Sequence, residues 1–167
     1  RSILLVDDDR LVLATLSQSL LAAGFDVRSA SDGRKALECC IARPPDLAII
    51  DYDMPGFSGV QLVDALQAAA PVPFMFLSAS AEPAVVERVA SAGALCYLVK
   101  PIDALHLVPV VRTALARAEQ RQSLRQDIER VSDALRSSRD VSVVTGLLME
   151  RFSLSQAAAY EKLRAYA

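Results

Sequence analysis

Through its first hundred residues the chain alternates short apolar runs with amphipathic segments, and that rhythm limits the folds open to it more than any other feature. Ile3–Val6, Phe25–Ser29, Leu47–Ile50, Val72–Leu77 and Leu95–Val99 read as five strands. Leu47-Ala48-Ile49-Ile50 has no polar alternation, as expected of a parallel strand covered on both faces. Between the runs, Leu11, Thr15, Leu16, Ser19 and Leu20 recur at helical spacing, and further helical patterns cover Gly33–Ile41, Val60–Ala69 and Ala84–Ala92. Ala23-Gly24, Arg43-Pro44-Pro45, Pro55-Gly56 and Ala92-Gly93 supply the turns. Consecutive β-α units of this kind predict an α/β domain, a doubly wound parallel sheet with helices on both faces.

After Asp103, read as an N-cap, the pattern stays helical to about Ser138. Pro109 would remove one helical hydrogen bond and kink the segment unless the helix proper starts near Val108. Leu124, Ile128, Val131 and Leu135 then repeat at alternating steps of four and three, a coiled-coil seam of about two heptads. Packing of that helix on its own chain competes with dimerisation. A helix over Val141–Arg151, a break around Ser153 and a last helix over Ser155–Tyr166 are expected to follow.

The chain has 167 residues, 53% of them hydrophobic, enough for one domain with a full core and a smaller appendage. The richest apolar stretch, Ala68–Leu77, is broken by Pro71 and Pro73, so no membrane span is expected. No signal-peptide pattern stands at the amino end, and three cysteines, two adjacent (Cys39, Cys40), form neither a disulfide framework nor a metal-ligand spacing. A reduced, cytoplasmic compartment is the expectation. From Arg1 to Val111 there are 8 basic and 13 acidic residues, which excludes a general nucleic-acid binder there; Arg112–Arg139 holds 7 basic against 4 acidic and could lie beside a polyanion. A solvated helix laced with ion pairs accounts for the same Arg-rich segment.

Asp7, Asp8 and Asp9 directly follow the first strand, and Asp51 directly follows the third. In a doubly wound sheet those strands flank the switch point, where ligands bind beyond the carboxyl ends. Two carboxylates about 5 Å apart at an effective dielectric near 20 repel by roughly 3 kcal/mol, so such a cluster needs a cation or a raised pKa. Magnesium suits it, a hard ion that takes one or two carboxylates, keeps waters and accepts a phosphate oxygen. Ser78 closes the fourth strand and Lys100 the fifth, at the same sheet edge. A hydroxyl and an ammonium there can bind and neutralise a transferring phosphoryl group, a reaction that needs positioning and charge compensation above all. Taken singly, each of these residues reads as a helix cap, a strand-end serine or a snorkelling lysine. Their convergence carries the chemistry.

The stretches ILLVDDD, IIDYDMPGFSG, FLSAS and CYLVKP, in that order, resemble the signature blocks of response-regulator receiver domains, over roughly residues 1–118. The resemblance implies a CheY-like sheet of order 2-1-3-4-5. It makes Asp51 the phosphoacceptor for a sensor histidine kinase, with magnesium held by Asp7, Asp8, Asp51 and the backbone carbonyl of Asp53. Ser78 and Lys100 would bind the phosphoryl group, and Tyr97 would be the aromatic switch. Lys100-Pro101 matches a lysine–proline pair that is usually cis. The protein would assist its own phosphorylation and dephosphorylation without being a turnover enzyme.

The last 28 residues resemble the ANTAR module, an RNA-binding helical unit of transcription antiterminators, at Gly146, Leu148, Met149, Arg151, Leu154, Ala159, Tyr160, Leu163, Arg164 and Ala167. Leu147, Leu148, Leu154 and Leu163 suit a small core, and Gly146 suits close helix approach. Arg151, Tyr160 and Arg164 are the candidate RNA contacts, since bases stack on aromatic rings and phosphates attract guanidinium groups. Thr145 stands where many members carry a basic residue, and the family's module continues into another helix, so either part of the module is missing from the match or the long helix before Asp140 supplies more of it. The expected divisions are 1–118 for the receiver, 119–139 for the connecting helix and 140–167 for the module.

Two outputs follow. One is a phosphorylation-controlled, homodimeric antiterminator that binds an RNA hairpin. The other is a protein-interaction and dimerisation switch that touches no RNA, which the near-neutral tail favours. DNA binding ranks below both, because no recognition helix with clustered polar and basic residues is visible.

Overall fold

A computed structural model describes residues 1–164, with positions 104, 134–140 and 163 described by backbone alone. It divides the chain into two compact units, Arg1–Gln120 and Arg121–Ala167.

The first unit holds strands β1 (Ser2–Val6), β2 (Asp26–Ala30), β3 (Leu47–Asp51), β4 (Phe74–Ser78) and β5 (Tyr97–Val99). All neighbours pair in parallel, in the expected order β2-β1-β3-β4-β5. Helices α1 (Arg10–Ala22), α2 (Gly33–Ala42), α3 (Gly59–Ala69) and α4 (Pro83–Ser91) connect them, and α5 begins at Ala104. Because strand side chains alternate, each central strand feeds two cores. Ile3, Leu5, Leu47, Ile49, Met75 and Leu77 pack with Leu13, Leu16 and Leu20 of α1 and with Leu107, Val111 and Leu115 of α5. Leu4, Val6, Ala48, Ile50, Phe74 and Phe76 pack with Ala36 and Cys40 of α2, Leu62, Val63 and Leu66 of α3 and Val89 of α4. Residues 47–50 read as uniformly apolar because each face has its own cover.

β2 runs one residue later than expected and β5 starts at Tyr97 rather than Leu95; three further differences have local reasons. β4 starts at Phe74 rather than Val72, since Pro73 has no N–H to give; its carbonyl still accepts from Ala48 at 2.8 Å. α5 begins right after Asp103, whose carboxylate accepts the His106 amide at 3.0 Å, so Pro109 lies inside the helix and the later start near Val108 does not occur. Pro109 is exposed there, and its carbonyl accepts the Thr113 hydroxyl at 3.0 Å. The expected break between Ser138 and Val141 is also absent, and α5 continues unbroken to Phe152. Between Pro109 and Gly146 the sequence has neither Pro nor Gly, hence nothing to stop a helix.

In the second unit α5 ends at Phe152, Ser153 turns the chain with φ 52°, and α6 spans Gln156–Arg164. The Ser155 hydroxyl caps α6 by accepting the Ala158 amide at 3.3 Å. Ala159 is fully buried, Leu148 and Leu154 are half-buried, and Thr145 is buried with its hydroxyl donated to the Val141 carbonyl at 2.6 Å. Two expectations for this core fail. Leu147 is 60% exposed, and among the described residues a Cβ added to Gly146 would meet no neighbour, so Gly146 serves no close approach to them. Leu135 and Leu163 as side chains, and Tyr166 and Ala167 altogether, lie outside the described residues. No helix among the described residues is long and apolar enough to cross a membrane.

Candidate functional site

The carboxyl ends of β1, β3, β4 and β5 bring the predicted polar residues together. The acidic triplet divides its labour. Asp9 is the N-cap of α1, accepting the Leu11 amide at 2.7 Å, which leaves Asp7 and Asp8 free of that duty. Asp7 is fully buried, Asp51 is the last residue of β3 and 4% exposed, and Asp8 is exposed at the rim. One carboxylate oxygen from each lies within 4.8 Å of the others.

Lys100, which follows β5 and precedes a cis peptide bond to Pro101, sets its Nζ 2.6 Å from Asp7 Oδ2 and 3.0 Å from Asp51 Oδ2. Burial pushes the Asp51 carboxyl above its usual range; the Lys100 hydrogen bond opposes this, and the Asp7 charge adds to it. Burial also works against the charge on Lys100, but its bonds to Asp7 and Asp51 outweigh that and raise its pKa. The two directions agree with the geometry: one ammonium shared by two carboxylates is over-satisfied, while each carboxylate is under-compensated. A further cation beside Asp8 would correct the imbalance, and an all-oxygen donor set fits a hard divalent ion.

Backbone geometry makes the crevice possible. Gly59, the last residue of the IIDYDMPGFSG block, has no room for a side chain: a Cβ there would collide with the Asp51 carbonyl. Its amide bonds the Tyr52 carbonyl at 3.3 Å, which draws α3 against the end of β3. Ser58 starts that helix with a capping box to Gln61.

The Ser78 hydroxyl, fully buried, points to Asp53, donating to Oδ2 at 3.0 Å and accepting the Ser80 amide at 3.1 Å. The Asp53 amide donates to Asp51 Oδ1 at 3.3 Å. Tyr97 is half-buried against the second core, and its hydroxyl donates to the Ser80 carbonyl. Sequence reasoning gave Asp53 only its carbonyl and passed over Ser80. The signal was there, because a serine two residues after another at a strand end suits a side-chain-to-backbone turn.

In the second unit Arg151, Tyr160 and Arg164 are all exposed. The cation over a ring is an unanticipated pair, Lys162 at 4.5 Å from the Phe152 centroid. Thr145 faces inward, so its position offers no phosphate contact. Cys39, Cys40 and Cys96 are free, and burial pushes the Cys40 thiol up to about 11, as suits a packing residue. His106 is exposed, and its ring Nδ1 pairs with Asp103 at 2.6 Å.

Comparison with known proteins agrees with this architecture. The family described as response regulator receiver domain matches residues 3–112. The transcriptional regulatory protein PdtaR of Mycobacterium tuberculosis is 29% identical over 162 residues, 96% of this chain and 79% of that protein. The transcriptional regulatory protein PrrA of the same species is 43% identical over 118 residues, 69% of this chain and 50% of PrrA. Among solved structures, the chemotaxis protein CheY4 of Vibrio cholerae superposes with a TM-score of 0.64 at 28% identity, over 68% of this chain and 97% of CheY4. With β order, crevice and sequence blocks in accord, the chain belongs to the response regulator receiver family.

Proposed function

We propose that this protein is a phosphorylation-controlled regulator in which Asp51 accepts a phosphoryl group from a sensor histidine kinase. The observation that carries the reading is the under-compensated carboxylate set of Asp7, Asp8 and Asp51 around a single ammonium, Lys100. Asp7, Asp8, Asp51 and the Asp53 carbonyl would hold magnesium, which supplies charge neutralisation for phosphoryl transfer. Lys100 can pass from a carboxylate to a phosphoryl oxygen without leaving the crevice, and Ser78, whose carbonyl accepts the Lys100 amide at 2.8 Å, would supply its hydroxyl as a second donor. The protein turns over no substrate; it assists only the gain and loss of its own phosphoryl group. Calorimetric titration with magnesium should show binding to the wild type and its loss in Asp7→Asn and Asp51→Asn. Equal affinity in all three would refute the metal site.

The output we infer is RNA. The similarity to PdtaR extends over the tail, and that relative is named a transcriptional regulatory protein. Arg151, Tyr160 and Arg164 are exposed as an RNA surface requires. The second reading, a protein-interaction switch, draws on Leu124, Ile128 and Val131, apolar residues at heptad spacing that are 62%, 61% and 60% exposed. The same stripe would serve homodimerisation in the first reading. Filter binding of a two-hairpin RNA by phosphodonor-treated protein separates the two. Salt-sensitive binding lost in Tyr160→Ala and Arg164→Ala supports RNA output, and no binding at any salt concentration rules against it.

A further inference from the structure

Asp53 Oδ2, the Ser78 hydroxyl, the Ser80 amide and carbonyl, and the Tyr97 hydroxyl form one continuous hydrogen-bonded chain. It starts at the mouth of the carboxylate crevice and ends on β5. We propose that the Asp53 side chain is a positioning residue, a latch that holds the Ser78 hydroxyl on its own carboxylate until a phosphoryl group on Asp51 takes its place. This rests on the phosphoacceptor reading of Asp51 and adds to it a role for the Asp53 carboxylate distinct from its carbonyl.

The chemistry of the two ends makes the latch an exchange. A serine hydroxyl has one proton to donate, so it bonds Asp53 or a phosphoryl oxygen, never both. Ser78 is fully buried and loses much if left without an acceptor, whereas the Asp53 carboxylate is exposed and can return to water at little cost. Ser78 therefore always has a partner, and the choice between the two partners is discrete. A phosphoryl group on Asp51 would bring close to two negative charges to a residue whose carboxylate already accepts the Asp53 amide. Repulsion between that group and the Asp53 carboxylate, and competition for the Ser78 proton, act in the same direction. When the Ser78 oxygen moves, the Ser80 amide that donates to it must follow, and the Ser80 carbonyl carries the Tyr97 hydroxyl with it.

Nitrogen–proton and aromatic resonances of the full chain, recorded without phosphodonor or magnesium, test the latch. Asp53→Ala removes the acceptor and should displace both the Ser80 amide and the Tyr97 ring resonances. Asp53→Asn keeps a carbonyl acceptor and should leave both near their wild-type positions, and in a Ser78→Ala background Asp53→Ala should no longer move Tyr97. Unmoved resonances in Asp53→Ala, or an undiminished Tyr97 shift without the Ser78 hydroxyl, would overturn the proposal. Acetyl phosphate with magnesium gives an independent arm. Both variants lose the charge, so their difference isolates the hydrogen bond, and Asp53→Ala should be labelled about fivefold faster than Asp53→Asn. Equal rates would overturn it. Failure of the wild type to label at all would strike the Asp51 reading instead, while the metal-free resonances still decide the latch.

Discussion

Ile3, Leu5, Ile49 and Met75 of the Arg1–Gln120 unit are wholly withdrawn from water, whereas Leu124, Ile128, Val131, Val143 and Leu147 of the Arg121–Ala167 unit are 60–62% exposed. Polar groups show the opposite contrast. The receiver buries Asp7, Asp51 and Ser78 and partners each one within a single crevice, while the tail presents Arg151, Tyr160 and Arg164 at its surface. The first unit thus sets its polar crevice on a double core, although Leu11, Leu21, Ile41 and Leu105 of that unit stay exposed. The second carries its heptad-spaced apolar residues at the surface.

Mutations should separate the two units by size of effect. Ile49→Ala leaves a cavity in the first core and should cost about 2–5 kcal/mol, against less than about 0.5 kcal/mol for Leu147→Ala, as read by urea unfolding. Comparable losses at both positions would break the contrast. Gly59→Ala sets a methyl group against the Asp51 carbonyl and should cost about 1–3 kcal/mol, with magnesium binding weakened because the end of β3 must shift. Replacing Leu124, Ile128 and Val131 together by Ser should leave the receiver's unfolding unchanged while the sedimenting mass falls from dimer to monomer. A wild type that sediments as a monomer would remove the homodimer from the account.

The charge on Asp51 has a smaller effect, which depends on pH. The native Asp51 pKa is raised from the 3.8 of an ordinary Asp, so the folded state binds this proton more tightly than the unfolded state does. The stability this proton supplies is full below about pH 4 and is lost as pH rises through the native value. In metal-free protein, Asp51→Asn should therefore be more stable than wild type at pH 7, with the advantage vanishing near pH 4. The measurement is a series of thermal melts across that range, and an advantage that grows toward low pH would contradict the sign.

The sheet was legible because its strands are short, apolar and separated by turn residues, and because residues 47–50 show two-sided burial directly. The crevice was legible through spacing: Asp7, Asp51, Ser78 and Lys100 each follow or close a strand, and parallel strands deliver their ends to one edge. Side-chain direction was not. That Asp9 caps while Asp7 pairs with Lys100, and that Ser78 turns to Asp53, depend on rotamers that no spacing records. The tail was least legible, since helical periodicity names an apolar stripe without saying what covers it. Leu147 was assigned to a core and is exposed, while Thr145, a polar residue, is buried by satisfying its hydroxyl within its own helix.

Acceptance of phosphate by Asp51 in a magnesium-supported crevice can be read as added mass. Intact-protein mass spectrometry after incubation with acetyl phosphate, followed by peptide mapping, tests it most directly. One added phosphoryl group is expected on the peptide containing Asp51, absent without magnesium and absent in Asp51→Asn. A phosphoryl group that persists in Asp51→Asn, or maps to another residue of the wild type, would contradict it.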